Sequence, residues 1–266
     1  MERTYWHKQT AAKPLFPELE WSRPENKSFA GKLLIIGGHE HSFAAPADAY
    51  GAAIKAGIGS VRVLLPNRLL RVVGKIFPEA EFTMSNPSGG FSQLALGDAL
   101  NFGEWADGIL LAGDTGRNSQ TAILLEKLVA KYDGQITITK DAIDYFTAAP
   151  QTILHRPQTT VVLSFAQLQK LAMNANFTKA FTFDMDLIRL VDTLHEFTET
   201  FSLNIVTKHH DTIFVAASGQ VSSTKLETEM KIWRVKTAAS ASVWWLQNPS
   251  KPFEALTTAA NNGNHS

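Results

Sequence analysis

Short runs of consecutive apolar residues, each closed by glycine or proline and followed by a helix-forming stretch, recur along this chain and limit what it can fold into. Lys32-Leu33-Leu34-Ile35-Ile36 ends at Gly37-Gly38 and leads into the alanine-rich stretch Ala44 to Ala56, which Gly57 closes. Ser60-Val61-Arg62-Val63-Leu64-Leu65 stops at Pro66, where Asn67 is placed to cap a helix running to about Phe77. An apolar run without polar alternation suits a strand buried on both faces. An alanine-rich segment closed by glycine suits a helix and its C-cap. Glu81 to Met84, Gly108 to Ala112, Gln135 to Thr139 and Thr159 to Leu163 continue the strands. Asn118 or Ser119 caps a helix to about Tyr132, Asp141 to Phe146 forms a short one, and another runs through Met173. Leu187, Leu190, Val191, Leu194, Phe197 and Phe201 recur at helical spacing, so Asp184 to Thr200 reads as an amphipathic helix. Leu203 to Thr207 and Thr212 to Ala216, separated by a short polar gap, read as a hairpin, and from about Thr237 onward the chain reads as two helices broken at Pro249.

Such alternation implies an α/β fold: a mostly parallel central sheet with helices on both faces. Residues 1–31, interrupted by Pro14, Pro17 and Pro24, read as an irregular lead-in, and residues 32–266 as one domain without an internal linker. In a sheet of this kind the ligand site lies beyond the carboxyl ends of the strands. That places Gly37 to Ala45, Gly113 to Arg117, Thr139 to Asp141, Ser164 to Gln167 and Lys208 to His210 around one crevice.

Composition excludes several classes of function. Lys+Arg and Asp+Glu each number 25, so the net charge is zero, which argues against nucleic acid or an anionic membrane as the main partner. With no cysteine, thiolate catalysis, disulfides and Cys-ligated metal are ruled out. No apolar run approaches the ~20 residues of a membrane span, and no apolar leader follows Met1-Glu2-Arg3-Thr4. A soluble, cytoplasmic protein is the expectation.

Within the crevice, Gly37-Gly38 allows close backbone approach to a ligand, and the helix start after it attracts anions. Neither the Gly-x-Gly-x-x-Gly fingerprint nor a Gly-x-x-x-x-Gly-Lys-Ser/Thr loop occurs, and no Gly-x-Ser-x-Gly elbow supplies a serine nucleophile. His39-Glu40-His41 offers two imidazoles without a third placed ligand, which makes a poor metal site, and no metal ligand is assigned. His195 flanks an apolar helical stripe and reads as structural. Lys208 follows a strand, either to reach a phosphate or as an ordinary strand-end charge. Asp141 stands at a strand-to-helix turn, where it reads first as an N-cap, and otherwise as a hydrogen-bond acceptor or metal-side carboxylate in the site.

The stretch Gly31-Lys32-Leu33-Leu34-Ile35-Ile36-Gly37-Gly38, then Ala45-Pro46, Ala52-Ala53-Ile54-Lys55-Ala56-Gly57-Ile58-Gly59 and Val61 to Pro66, resembles the opening of the ADP/ATP-dependent NAD(P)H-hydrate dehydratases. That family has a ribokinase-like fold. Leu110 to Arg117 stands where the family has Gly-Pro-Gly-Leu-Gly-Arg, Thr137 to Ile143 where it has Val-Leu-Asp-Ala-Asp-Ala-Leu, and Val206-Thr207-Lys208 at its Leu-Lys-Gly strand end. Thr237 to Val243 is similar to Thr-Gly-Gly-Ser-Gly-Asp-Val, and Pro252-Phe253-Glu254-Ala255 repeats the family's Pro-Phe-Glu-Ala. The resemblance covers about residues 30 to 260.

It implies repair of NADH or NADPH hydrated on the nicotinamide ring, with ATP or ADP as phosphoryl donor, Mg2+ beside the nucleotide, and assembly into a homo-oligomer. By the same resemblance, Lys208, Thr237 and Ser240 fall to the nucleotide, and Gly37, Gly38, Ala45, Pro46, Gly116 and Asp141 to the dinucleotide substrate. The departures gather at the chemistry. Ser242 occupies the position of the catalytic carboxylate, and a serine hydroxyl is no general base near neutral pH. Ala238, Ala239 and Ala241 replace the glycines whose amides meet phosphate. Asp114 enters the Pro-Gly-Leu-Gly loop, Thr139 replaces the first Asp of Asp-Ala-Asp, and Phe165-Ala166-Gln167 shortens the family's Pro-His-Pro-Gly-Glu. Three readings remain: a divergent dehydratase with a substitute base from Asp114 or Glu40, an inactive homologue that binds a nucleotide or a protein partner, and a small-molecule kinase lacking the same carboxylate.

Overall fold

The computed structural model describes residues 3–226 and 233–262. Its strands are β1 (Trp6–Gln9), β2 (Lys32–Gly37), β3 (Ser60–Pro66), β4 (Ala80–Thr83), β5 (Gly108–Gly113), β6 (Gln135–Thr139), β7 (Thr159–Ser164), β8 (Asn204–His209), β9 (Thr212–Ala217) and β10 (Gln220–Lys225). Three one-turn helices, α1 (Glu18–Trp21), α3 (Leu70–Val73) and α7 (Gln151–Leu154), accompany eight longer ones. These are α2 (Ala44–Lys55), α4 (Leu96–Trp105), α5 (Ser119–Lys131), α6 (Ala142–Ala148), α8 (Phe165–Asn174), α9 (Leu187–Thr200), α10 (Trp233–Gln247) and α11 (Pro252–Asn262).

All strands join one ten-stranded sheet in the order β1-β10-β9-β8-β7-β6-β5-β2-β3-β4. Strands β2 to β8 run parallel, and β9 returns antiparallel after the tight His210-Asp211 turn. Because strand side chains alternate, each apolar run feeds two cores. Leu34, Ile36, Ile109, Leu111, Ile136, Ile138, Val161 and Leu163 face α4, α5, α6, α8 and α9. Leu33, Ile35, Leu110, Ala112, Val162 and Val206 face α2, α10 and α11, where Trp244 and Trp245 are fully buried. The parallel strands bring Gly37, Gly113, Thr139, Ser164 and His209 to one carboxyl edge. Among the described residues no helix is long and apolar enough to cross a membrane.

The structure departs from the sequence reading in several places. Trp6–Gln9, within the stretch read as irregular, forms β1 and pairs parallel with β10. Neither strand carries an apolar run, because its inward groups are polar and satisfied by one another. Trp6 Nε1 donates to Ser223 Oγ (3.0 Å), Gln9 Nε2 donates to Thr224 Oγ1 (2.7 Å) and to the Thr257 carbonyl (2.8 Å), and the Ser222 and Thr257 hydroxyls pair at 2.8 Å. Helix α4 has no counterpart in the sequence pattern, since Gly97 and Gly103 dilute its helical signal. The helix after Asn67 ends at Val73 rather than Phe77.

Gln9→Ala would remove the bonds to Thr224 Oγ1 and the Thr257 carbonyl and leave the part-buried Leu15 amide without its acceptor, Gln9 Oε1. An orphaned buried polar group costs about 1–3 kcal/mol, so the expected outcome is a loss of that size in urea unfolding. No change would show that β1 is not tied down through Gln9.

Candidate functional site

The tightest packing at the carboxyl edge lies where β2, β5 and the start of α2 meet. A Cβ on Gly37 would stand 2.5 Å from the Gly113 carbonyl oxygen and 2.9 Å from Pro46 Cγ, so only glycine lets these strands and the helix close up. Gly113 has φ +98°, and a Cβ there would fall 2.6 Å from Asp141 Oδ1. The turn after it is held by Asp141, whose carboxylate accepts from Asp114 N (2.6 Å), Thr115 N (2.8 Å) and Thr115 Oγ1 (3.0 Å). Asp141 occupies the N-cap position of α6 yet makes no side-chain cap bond. The cap that the sequence favoured is not made; the carboxylate braces the turn after β5 instead.

Asp114, at φ 56°, points its own carboxylate the other way. It accepts from Ser42 Oγ (2.7 Å) and from Ala45 N in the first turn of α2 (2.8 Å), and pairs with Lys140 Nζ. Burial pushes the Asp114 carboxyl up, but Lys140, the Ala45 amide and Ser42 outweigh it and hold the group below the usual carboxylate range. A helix N-terminus attracts an anion through its free amides and dipole. At α2 the chain supplies that anion itself. Gly38 N donates to the Gly113 carbonyl at 3.0 Å. Gly116, at φ +72°, lies against the His39 ring, and its carbonyl accepts from Tyr145 OH at 2.6 Å. The predicted Gly37, Gly38, Ala45, Pro46, Gly116 and Asp141 therefore do come together, as a closely bonded corner. Ser42 and Lys140, which complete it, stand in two of the segments that the sequence placed at the crevice, Gly37 to Ala45 and Thr139 to Asp141, though neither had a role assigned; Lys140 takes a φ of 57°.

The residues matched to the nucleotide turn are placed differently. Thr237, Ser240 and Ser242 all lie inside α10, which is already helical at Trp233. Inside a helix each amide is committed to the carbonyl four residues back. Ser242 is 4% exposed and its hydroxyl donates to the Ala238 carbonyl at 2.8 Å. Thr237 is buried, its hydroxyl without a hydrogen-bond partner, and Ser240 is half-buried. Ala238, Ala239 and Ala241 account for the helix, since alanine favours helix over glycine by about 1 kcal/mol per residue. These residues do not form an open turn at the mouth of the sheet. What stands near the mouth is Arg234, whose Nη1 donates to Gln167 Oε1 at 3.0 Å. Gln167 is also the capping-box partner of Ser164 and donates to the Lys140 carbonyl and to Asp144 Oδ1, each at 2.8 Å. Lys208, half-buried near the end of β8, shares the α10 face with Val206.

His39, His41 and His195 meet neighbours within the protein. Glu40 Oε1 lies 3.1 Å from His41 Nε2, and the His39 and His41 rings lie 5.4 Å apart. Among the described residues no three His, Cys, Asp or Glu side chains are grouped to hold a metal ion. His195 stacks on Tyr5 at 3.7 Å, as a structural residue would.

No family model matches the chain. A curated relative, the bifunctional NAD(P)H-hydrate repair enzyme Nnr of Methanocaldococcus jannaschii, is 33% identical over 122 residues, which cover 44% of this chain and 23% of that protein. The Nnr of Methanothermobacter thermautotrophicus is 33% identical over 98 residues, 36% of this chain and 18% of that protein. The chain thus spans about a quarter or less of the length of the curated relatives it matches. Among solved structures, a ribokinase-like superfamily protein from Enterococcus faecalis superposes with a TM-score of 0.73 at 17% identity, covering 97% of this chain and 87% of that one. The ADP/ATP-dependent NAD(P)H-hydrate dehydratase of Bacillus subtilis, co-crystallized with ATP/Mg2+, gives 0.65 at 14% identity, covering 95% of this chain and 87% of that one. The fold is ribokinase-like, as the sequence implied, and the resemblance to the hydrate dehydratases is matched by these relatives.

Asp114→Asn removes an ionised acceptor from three donors, so a loss of about 1–3 kcal/mol is expected at neutral pH. The carboxyl titrates below its unfolded value, so its stabilisation is present above about pH 4 and is lost as pH falls through the lower folded value. The gap between wild type and Asp114→Asn in urea unfolding should therefore shrink on acidification. A gap independent of pH would contradict the arrangement.

Proposed function

We propose that this ribokinase-like chain, similar to the NAD(P)H-hydrate repair enzymes, binds an adenine nucleotide at the carboxyl edge of its sheet and does not transfer the phosphoryl group. The observation that carries this reading is Ser242, buried in α10 and bonded to the Ala238 carbonyl at the position the resemblance gives to a carboxylate base. Removing a general base typically costs ~10²–10⁴-fold in rate. The two substitutes that the sequence offered are both engaged. Asp114 is held by Ser42, Ala45 and Lys140, and Glu40 by His41. The small-molecule kinase reading needs the same missing group.

Nucleotide binding rests on side chains rather than on backbone. Lys208 and Arg234 would hold the phosphates, both cationic and both partly open at the edge that the parallel strands define. Mg2+ is a poorer fit. It takes carboxylates together with substrate phosphates in near-octahedral geometry, and the two carboxylates of this corner, Asp114 and Asp141, are each spent on three hydrogen-bond donors. No step is assigned to the metal.

Two measurements test the reading. Incubated with hydrated NADH and either ATP or ADP, the protein should give no recovery of the nicotinamide absorbance. In calorimetry ATP or ADP should bind, about tenfold more weakly in Lys208→Ala, as expected for one charge-assisted contact. Turnover by the wild-type chain would overturn the catalytic half of the reading, and heat-silent titrations the binding half. Ser242→Asp should not restore turnover, because it buries an unpaired carboxylate in α10 and destabilises the fold by several kcal/mol.

A further inference from the structure

The β4 end of the sheet carries a surface that the proposed nucleotide contacts make no use of. β4 is the last strand, and residues 67–77, between β3 and β4, run along that rim. Leu69 and Val73 are buried, and the Phe77 ring meets that of Tyr50 in α2 at 4.8 Å, so every fourth residue pins the segment to the core. The residues between them are turned out. Leu70 is 51% exposed, Val72 64% and Ile76 71%, with Arg68, Arg71 and Lys75 exposed among them.

A single apolar side chain on a surface is ordinary, whereas several grouped with one sign of charge mark an interaction site. The zero net charge of the whole chain hides a local imbalance, because residues 67–77 hold three cations and no carboxylate. Among the described residues none of the three cations forms an ion pair. Glu79, the nearest carboxylate in sequence, is engaged by the Tyr50 hydroxyl. Apolar side chains interleaved with cations suit the boundary of an anionic bilayer, where the first enter the acyl margin and the second meet the headgroups. A second copy of this chain fits less well. A two-fold contact would set three cations against the same three, and Glu81 on β4 opposes pairing along the sheet edge.

We propose that residues 67–77 dock the protein on an anionic lipid surface, with Leu70, Val72 and Ile76 entering the interface and Arg68, Arg71 and Lys75 held against the headgroups. Nucleotide binding uses none of these side chains, so the two readings stand or fall separately.

The test is flotation of the full chain with vesicles of phosphatidylcholine alone, and of phosphatidylcholine with about one-third phosphatidylserine. The protein should float with the anionic vesicles only, and should be released in ~1 M salt, where charges are screened within about 3 Å. Arg68→Gln, Arg71→Gln and Lys75→Gln should each weaken the partition about fivefold, the effect of one cation near such a surface, and Ile76→Ser about tenfold. These side chains are exposed, so urea unfolding of the variants should match that of the wild type, which separates lost docking from a lost fold. Protein that floats with neither vesicle, or equally with both, would overturn the proposal. So would anionic binding that the three Gln substitutions together leave intact. Sedimentation as a dimer that Ile76→Ser dissociates, without flotation, would overturn it in favour of a second copy.

Discussion

A backbone amide has one hydrogen to donate, and at the carboxyl edge of this sheet the chain has already used the ones that a phosphate would need. In α10 the amides from Ala238 to Ser242 belong to helical turns. At the start of α2 the Ala45 amide is taken by Asp114, and in the turn after β5 the Asp114 and Thr115 amides are taken by Asp141. Gly38 gives its amide to Gly113. Free amides at helix starts and glycine turns are a general way to hold a phosphate. Here the scaffold stands while those donors face inward.

Small changes in side chain produce this outcome. Exchanging glycine for alanine adds a methyl group and removes backbone freedom, which favours continuing a helix over opening a turn. Placing Asp114 at positive φ lets one carboxylate close the α2 terminus and also neutralise Lys140. Core and site vary independently: Leu33 to Ile36, Leu110 and Val206 pack two faces of a parallel sheet whatever stands at its rim.

How much of this was legible in the sequence follows from where the information is stored. The central strands were readable because burial on both faces demands unbroken apolar runs, as in Leu33 to Ile36 and Ile109 to Ala112. Helix α5 was readable through its Asn118 cap and α9 through its apolar periodicity, although α9 begins at Leu187 behind the Asp186 cap rather than at Asp184; the Ser164 cap of α8 went unread. Strands β1 and β10 were not, because their interior is a set of paired Gln, Ser and Thr groups that no hydropathy pattern reports. In the site, the glycine corner was recognisable by resemblance. The partners of Asp114 and Asp141 were not, since they depend on which way two carboxylates point. That Thr237 to Ser242 sit within a helix was legible, since the first of the two C-terminal helices reads from about Thr237; the resemblance set the same residues in a turn, and the structure keeps the helix.

The central claim is that the amides of residues 238–242 belong to α10 and not to a phosphate turn. Hydrogen exchange, read residue by residue with and without ATP and Mg2+, tests it most directly. The account predicts slow exchange at all of these amides, unchanged by nucleotide. Rapid exchange in the free protein, or protection of these amides that appears only with ATP, would contradict it.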